Sequence, residues 1–125
     1  MKKEIIYTEK APEPGHYSQA IRAAGLLFVS GQTAEDPETN RPVHGSAKEQ
    51  IRIIMNNIKS ILEEAGSGLS KVVRADIYLS SMDIKDEFSA AYIEYFPSGP
   101  PARNAVCAGG IDDGLDVEIE VIALA

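Results

Sequence analysis

The 125-residue chain is 44% hydrophobic and 25% charged, the proportions of one water-soluble globular domain spanning residues 1–125. A domain of this size buries about 70% of its unfolded surface or slightly less, which excludes a deep internal cavity and puts any ligand site at the surface or between subunits. A net charge of −7 and a pI near 4.8 disfavour binding driven by phosphate neutralisation, and arginines 22, 41, 52, 74 and 103 do not cluster in sequence, so no nucleic-acid partner is expected.

In chain order, Met1-Lys2-Lys3 is basic, but Ile5, Ile6 and Tyr7 are too few for a signal-peptide core. Residues 3–7 read as a short strand, and Ala11 to Gly15, dense in Pro and Gly, as a loop. Ser18 to Ala23 and Leu26 to Ser30 read as a hairpin turning at Ala24-Gly25, with Gly31 closing its second strand. The longest apolar stretch, Ala23 to Val29, is far short of a membrane span, so a cytoplasmic protein without membrane contact is expected. Thr33 to Gly45 is polar, with Pro37, Asn40 and Pro42, and predicts an exposed loop with a tight turn at Asp36 to Thr39.

The strongest helical signal follows: Ala47, Ile51, Ile54, Met55, Ile58, Ile61, Leu62 and Ala65 recur at spacings of three and four. Ser46 and Glu49 form a capping-box pair at its start, and Gly66 marks its end. Val72 to Leu79 alternates Val73, Ala75, Ile77 and Leu79 against Val72, Arg74, Asp76 and Tyr78, a strand pattern. A second helix is expected from about Ile84 to Tyr95, capped by Asp83, with Phe88, Ala91, Tyr92 and Tyr95 on one side, and Pro97, Pro100 and Pro101 then stiffen the connection. Two strands close the pattern, Arg103 to Ala108 and Asp116 to Leu124, separated by a turn-rich Gly109 to Gly114.

This order predicts a two-layer α+β domain: a six-stranded mixed sheet with two helices on one face. In the last strand Val117, Ile119, Val121 and Ala123 take one side, and Glu118, Glu120, Ile122 and Leu124 the other. With the first set under the helices, the second forms an uncovered face, acidic at its start and apolar toward its end, which suggests subunit association.

No phosphate loop, nucleophile elbow or metal-spaced histidine pair is present. Cys107 is the only cysteine, so there is no intrachain disulfide and no Cys/His zinc set, and a reducing compartment fits. What remains for chemistry is Glu118 and Glu120 on one strand face, Arg103 on the preceding strand, and the Gly15-His16-Tyr17-Ser18-Gln19 loop.

The run Pro101-Ala102-Arg103-Asn104-Ala105-Val106, followed by Glu118-Ile119-Glu120-Val121-Ile122-Ala123, resembles the C-terminal signature of the RidA/YjgF family of reactive intermediate deaminases. Gly15-His16-Tyr17-Ser18-Gln19, Val29-Ser30-Gly31-Gln32, and Asn56-Asn57-Ile58 with Ala65-Gly66 agree with that family in order and spacing, so the likeness covers nearly the whole chain. The resemblance implies a chorismate-mutase-like fold, assembled as a homotrimer whose sheets form a central barrel with clefts between subunits. It also implies hydrolysis of 2-imino acids, tautomers of 2-aminoacrylate and 2-aminocrotonate released by pyridoxal-phosphate-dependent dehydratases, to 2-oxo acids and ammonia. That is a 2-iminobutanoate/2-iminopropanoate deaminase activity, needing no cofactor and no metal.

By the same resemblance Arg103 clamps the substrate carboxylate, where a planar guanidinium fork can make two parallel hydrogen bonds. Without the flanking motif it would read as a surface arginine. Glu118 matches the acidic position beside the imine carbon, able to orient or deprotonate water, whereas Glu120 reads better as a salt-bridged glutamate at a subunit boundary. Tyr17, Ser30 and Gly31 match substrate-binding positions at the cleft, although Tyr17 reads equally as a half-buried aromatic and Ser30 as a strand-end cap. Gln32 reads as support for the loop, and Cys107 as a small buried or interface residue without a role.

The chain departs from the family in having His16 where proline is usual, Ala105 where many members carry cysteine, and Ile111-Asp112 where many have Leu-Pro. Two competing functions are a non-catalytic regulator that binds small carboxylates and, disfavoured by the acidic balance, a ribonuclease or translation inhibitor.

Overall fold

A computed structural model describes residues 2–125. Strand β1 (Glu4–Ile6) pairs antiparallel with β2 (Ala20–Ala23), which turns through Ala24 and Gly25 into β3 (Leu26–Gln32). Both turn residues have positive φ, 54° and 76°, the backbone that matches hairpin twist to strand twist. The segment expected to be an exposed loop instead holds a two-stranded ribbon, β4 (Glu35–Asp36) with β5 (Arg41–Pro42), and Ala34 before it is fully buried. Asp36 builds the ribbon's tip, its carboxylate accepting from the Glu38 N–H at 2.8 Å and its carbonyl from the Asn40 N–H at 2.7 Å. Two-residue strands carrying a proline offer no alternation by which to recognise them.

Helix α1 (Ala47–Glu64) buries Ile51, Ile54, Met55, Ile58, Ile61 and Leu62 completely. The Ser46 hydroxyl accepts from the Glu49 N–H at 3.1 Å, while the Glu49 carboxylate folds over Gly45 rather than closing the reciprocal half of the capping box. At the far end Gly66, at φ 79°, donates to the Glu63 carbonyl and Ser67 to the Leu62 carbonyl, the paired bonds that terminate a helix on a left-handed glycine. Strand β6 (Val72–Leu79) follows. Its register shifts between Val72 and Arg74, so Val72 turns inward and Val73, expected beside Ala75, is 41% exposed.

Helix α2 (Lys85–Tyr92) is shorter than expected and flanked by 3₁₀ turns at Met82–Ile84 and Ile93–Tyr95. Asp83 does not cap it. The chain enters the helix through the first 3₁₀ turn, which moves the cap upstream to Ser81, whose hydroxyl accepts from the Asp83 N–H at 3.1 Å. Strands β7 (Ala102–Cys107) and β8 (Val117–Leu124) complete a six-stranded sheet in the order β1-β2-β3-β8-β6-β7. All neighbours are antiparallel except β6 and β7, which the crossover through α2 makes parallel.

The mixed sheet with two helices on one face is therefore the architecture of the chain. Leu27, Val29, Ala75, Ile77, Leu79, Val117, Ile119, Val121 and Ala123 meet α1 and α2 in one core. The opposite face has no layer over it, and Phe28 and Leu124 stand exposed there, paired with Ile122 and Leu26. No helix among the described residues is long and apolar enough to cross a membrane. Ile58→Ala, at the centre of the buried stripe, is expected to lose about 2–5 kcal/mol, and exposed Lys59→Ala less than about 0.5 kcal/mol, both read from denaturant midpoints.

Candidate functional site

Burial of Val117 and Ile119 beneath the helices forces Glu118 and Glu120 onto the open face of β8. Opposite them β3 is irregular. Val29 pairs with Val121 and Gln32 with Ile119, so β3 spends one residue more than β8, a bulge at Ser30–Gly31. A Cβ on Gly31 would stand 2.5 Å from the Glu118 Oε2 and 3.0 Å from its Cδ, so a side chain at the bulge would push the carboxylate aside. The bare Cα lets the carboxylate lie against the β3 backbone.

Ser30 fastens the neighbouring loop. Its hydroxyl donates to the Ser18 carbonyl at 2.7 Å and its N–H to the Gln19 carbonyl at 2.9 Å. Gln19, buried, holds the loop from beneath, donating to the carbonyls of Thr8 and Pro12 at 3.0 and 2.9 Å and accepting from the Thr8 N–H at 2.8 Å. Gln32, also buried, donates to the Ser30 carbonyl at 3.2 Å, the supporting role expected of it. Tyr17, 55% exposed, projects from the loop so fastened.

Tyr17, Ser30, Gly31 and Glu118 line one open pocket of about 330 Å³, together with Glu120 and Asp112. Burial, then the charges of Asp112 and Glu120, push the Glu118 carboxyl above the ordinary glutamate range. Glu120 makes no salt bridge among the described residues and accepts a short hydrogen bond from the Tyr78 hydroxyl. That bond is the first cause of the Tyr78 pKa being pushed up to about 12, which keeps the phenol a donor. No group of three or more His, Cys, Asp or Glu among the described residues could hold a metal ion, so the three carboxylates share a pocket without forming a cation cage.

Arg103 lies elsewhere. It pairs with Ala75, whose side chain is buried under the helices, and so points to the helix side of β7, on the face opposite Glu118 and with β6 between their strands. Its guanidinium carbon sits 5.0 Å from the Tyr92 ring centre and 5.8 Å from that of Phe88, contacts worth about 0.5–1 kcal/mol at an exposed position. The Tyr92 hydroxyl beneath is buried without a hydrogen-bond partner, and burial raises its pKa against the opposing charge of Arg103. Cys107, expected to be buried or at an interface, is exposed in the chain.

One chain thus gathers Tyr17, Ser30, Gly31 and Glu118 and leaves Arg103 apart. Sequence reading missed Asp112 as a pocket residue; its signal was an acidic residue in place of a proline. A larger groove of about 480 Å³, between α1 and the β4–β5 ribbon, contains none of these side chains.

A family model described as Endoribonuclease L-PSP matches residues 8–125. The chain is 45% identical over 124 residues to a RutC family protein of Pyrococcus abyssi, covering 98% of each. It is 37% identical over 124 residues to the chloroplastic Reactive Intermediate Deaminase A of Arabidopsis thaliana, covering 98% of this chain and 66% of that one. Among solved structures it matches the Rid family protein YyfA of Yersinia pestis, a protein of unknown function, with a TM-score of 0.95 and 35% identity over 99% of this chain and all of the other. It also matches TdcF of E. coli, solved with bound serine, with a TM-score of 0.91 and 25% identity over 98% of each.

The close approach of Gly31 and Glu118 makes them energetically coupled. Gly31→Ala is expected to lose about 1 kcal/mol, and adding Glu118→Ala to recover most of it, a double-mutant coupling on the order of 1 kcal/mol. Additive losses in denaturant titrations would show that the two positions do not meet.

Proposed function

Because the chain belongs to the RidA/YjgF family, we propose that it hydrolyses 2-imino and 2-enamino acids of the 2-aminoacrylate type to 2-oxo acids and ammonia. The observation that carries this reading is the separation of the two candidate groups: a carboxylate pocket on one sheet face and a guanidinium on the other side of an edge strand. Each is half of a site for a small molecule with an anionic end and an electrophilic C=N end. The open sheet face bearing Phe28, Ile122 and Leu124 supplies a surface by which copies associate. A homotrimer with clefts between subunits sets the Arg103 of one copy against the Glu118 pocket of the next.

In that cleft Arg103 holds the substrate carboxylate by two parallel hydrogen bonds. Tyr17 covers the small apolar end, and the backbone at the Ser30–Gly31 bulge confines the reacting carbon. Water attacks that carbon, the C=N π bond breaks toward nitrogen, and Glu118 takes the proton that water loses. Glu118 then returns the proton to nitrogen and takes the hydroxyl proton as the C–N bond breaks and the carbonyl forms, and it passes that proton to the departing ammonia, which leaves as ammonium. The balance is one iminium acid and one water to one 2-oxo acid and one ammonium ion. An imine is already electrophilic, so positioning and a polarised water suffice.

Added to a serine or threonine dehydratase reaction, the protein is expected to speed the appearance of 2-oxo acid and ammonia. Arg103→Ala should lower kcat/KM by roughly 10²-fold or more without changing the oligomer, and Arg103→Lys should fail to restore it. No acceleration by the wild type, with 2-oxo acids still raising its Tm, would replace this chemistry with that of a binding regulator. Glu118→Gln should lower kcat by roughly 10²–10⁴-fold. In the wild type, kcat/KM should fall with acid on a limb centred above the ordinary glutamate range, because the active form is the carboxylate and its pKa is raised; that limb should vanish in Glu118→Gln.

A further inference from the structure

The 3₁₀ turn Asp112–Gly114, which delivers Asp112 to the pocket, is anchored on both sides and at its apex. Downstream, Leu115 is buried, and Gln50 and Ser80 hold Asp116. Its N–H donates to the Gln50 Oε1 at 2.9 Å, and its carboxylate accepts from the Gln50 Nε2 at 3.1 Å and the Ser80 hydroxyl at 2.7 Å. Upstream, Ile111 is partly buried and packs against the core, while Gly109 and Gly110 before it have open space around them. The apex, Asp113, takes a left-handed conformation at φ 59°, and its carbonyl lies 2.7 Å from the Nε2 of His44, a residue 69 positions earlier, just before α1. A carbonyl can only accept, so this nitrogen carries the proton, and His44 holds the apex of the turn from a distant part of the chain.

The pocket so completed is unusual in charge. Its lining consists of three carboxylates, Asp112, Glu118 and Glu120, with the uncharged Tyr17, Ser30 and Gly31. The Tyr78 hydroxyl occupies Glu120, whereas neither Asp112 nor Glu118 receives a side-chain hydrogen bond or ion pair among the described residues. Two carboxylates facing the same space repel, and a positive charge between them relieves the repulsion.

We propose that Asp112, set in place by the His44 clamp, is a specificity-determining residue of this site, favouring a ligand whose nitrogen end is cationic over one presenting an uncharged carbonyl oxygen there. The inference rests on the reading of the pocket as an imino acid site. An iminium carries its positive charge at the nitrogen that faces the pair. The 2-oxo acid product presents oxygen lone pairs at the same point, which the pair repels, so one arrangement both retains substrate and expels product. The upward push of Asp112 on the Glu118 carboxyl agrees with the two groups sensing each other.

The test is calorimetric binding of alanine, whose ammonium stands at the nitrogen position, and of pyruvate, whose carbonyl does, to the full chain. Asp112→Asn is expected to lower the ratio of alanine to pyruvate affinity by roughly fivefold. His44→Ala should lower it in the same direction, and His44→Gln, which can still donate to the Asp113 carbonyl, should restore it. A ratio unchanged in Asp112→Asn overturns the inference and leaves the proposed site standing. Failure of the wild type to bind either compound brings down the site and this inference with it.

Discussion

Strand β8 meets two opposed demands at once. It lies in the middle of the sheet, between β3 and β6, so every second side chain must enter the core while the others face the open side. Val117, Ile119, Val121 and Ala123 satisfy the first demand, and that fixes Glu118 and Glu120 on the second face. A slip of one residue would drive both glutamates beneath α1 and turn the core residues outward, so the hydrophobic pattern holds the acidic residues in register at many times the energy of any contact they make themselves. The chemistry of the pocket is thus a by-product of packing on the other side of the same strand.

The open face has a second character further along. Beyond the glutamates it becomes apolar, through Ile122, Leu124 and Phe28. A face that is acidic at one end and apolar at the other suits association driven by the apolar end, with the acidic end left at the margin where a small ligand can reach it. The guanidinium of Arg103, on the outermost strand and braced against the rings of Tyr92 and Phe88, is held at the opposite boundary of the domain. Groups that complement each other in charge are kept apart within one chain, which is the arrangement expected when the complementary partner belongs to another copy.

Much of this was legible in the sequence, and the reason differs by element. The stripe from Ala47 to Ala65 and the alternation of Val117 to Leu124 are long and regular, so periodicity identified both elements and the faces they bury. Gly25 and Gly66 marked their turns because left-handed backbone favours glycine. The β4–β5 ribbon escaped because its strands are two residues long, and Val73 was misplaced because a register shift inverts alternation locally without any trace in composition. Glu118, Glu120, Arg103 and the Gly15–Gln19 loop remained once other motifs were excluded, family resemblance added Ser30 and Gly31 and gave the set its roles, and the division of these residues between two faces came from neither. That division depends on β8 inserting between β3 and β6, a pairing that local sequence does not encode. Asp113, whose carbonyl tethers the turn that bears Asp112, lies 69 residues from His44 in the chain, and neither carries a motif.

The position of β8 also bears on how the molecule is made. Residues 117–124 are synthesised after every other strand, yet they fill the gap between β3 and β6. Until they leave the ribosome, two half-sheets stand with unpaired inner edges and a helix that has only part of its floor. Such edges are adhesive. The nascent chain therefore cannot complete its sheet before residues 117–124 emerge, and the strand that carries Glu118 acts as the keystone.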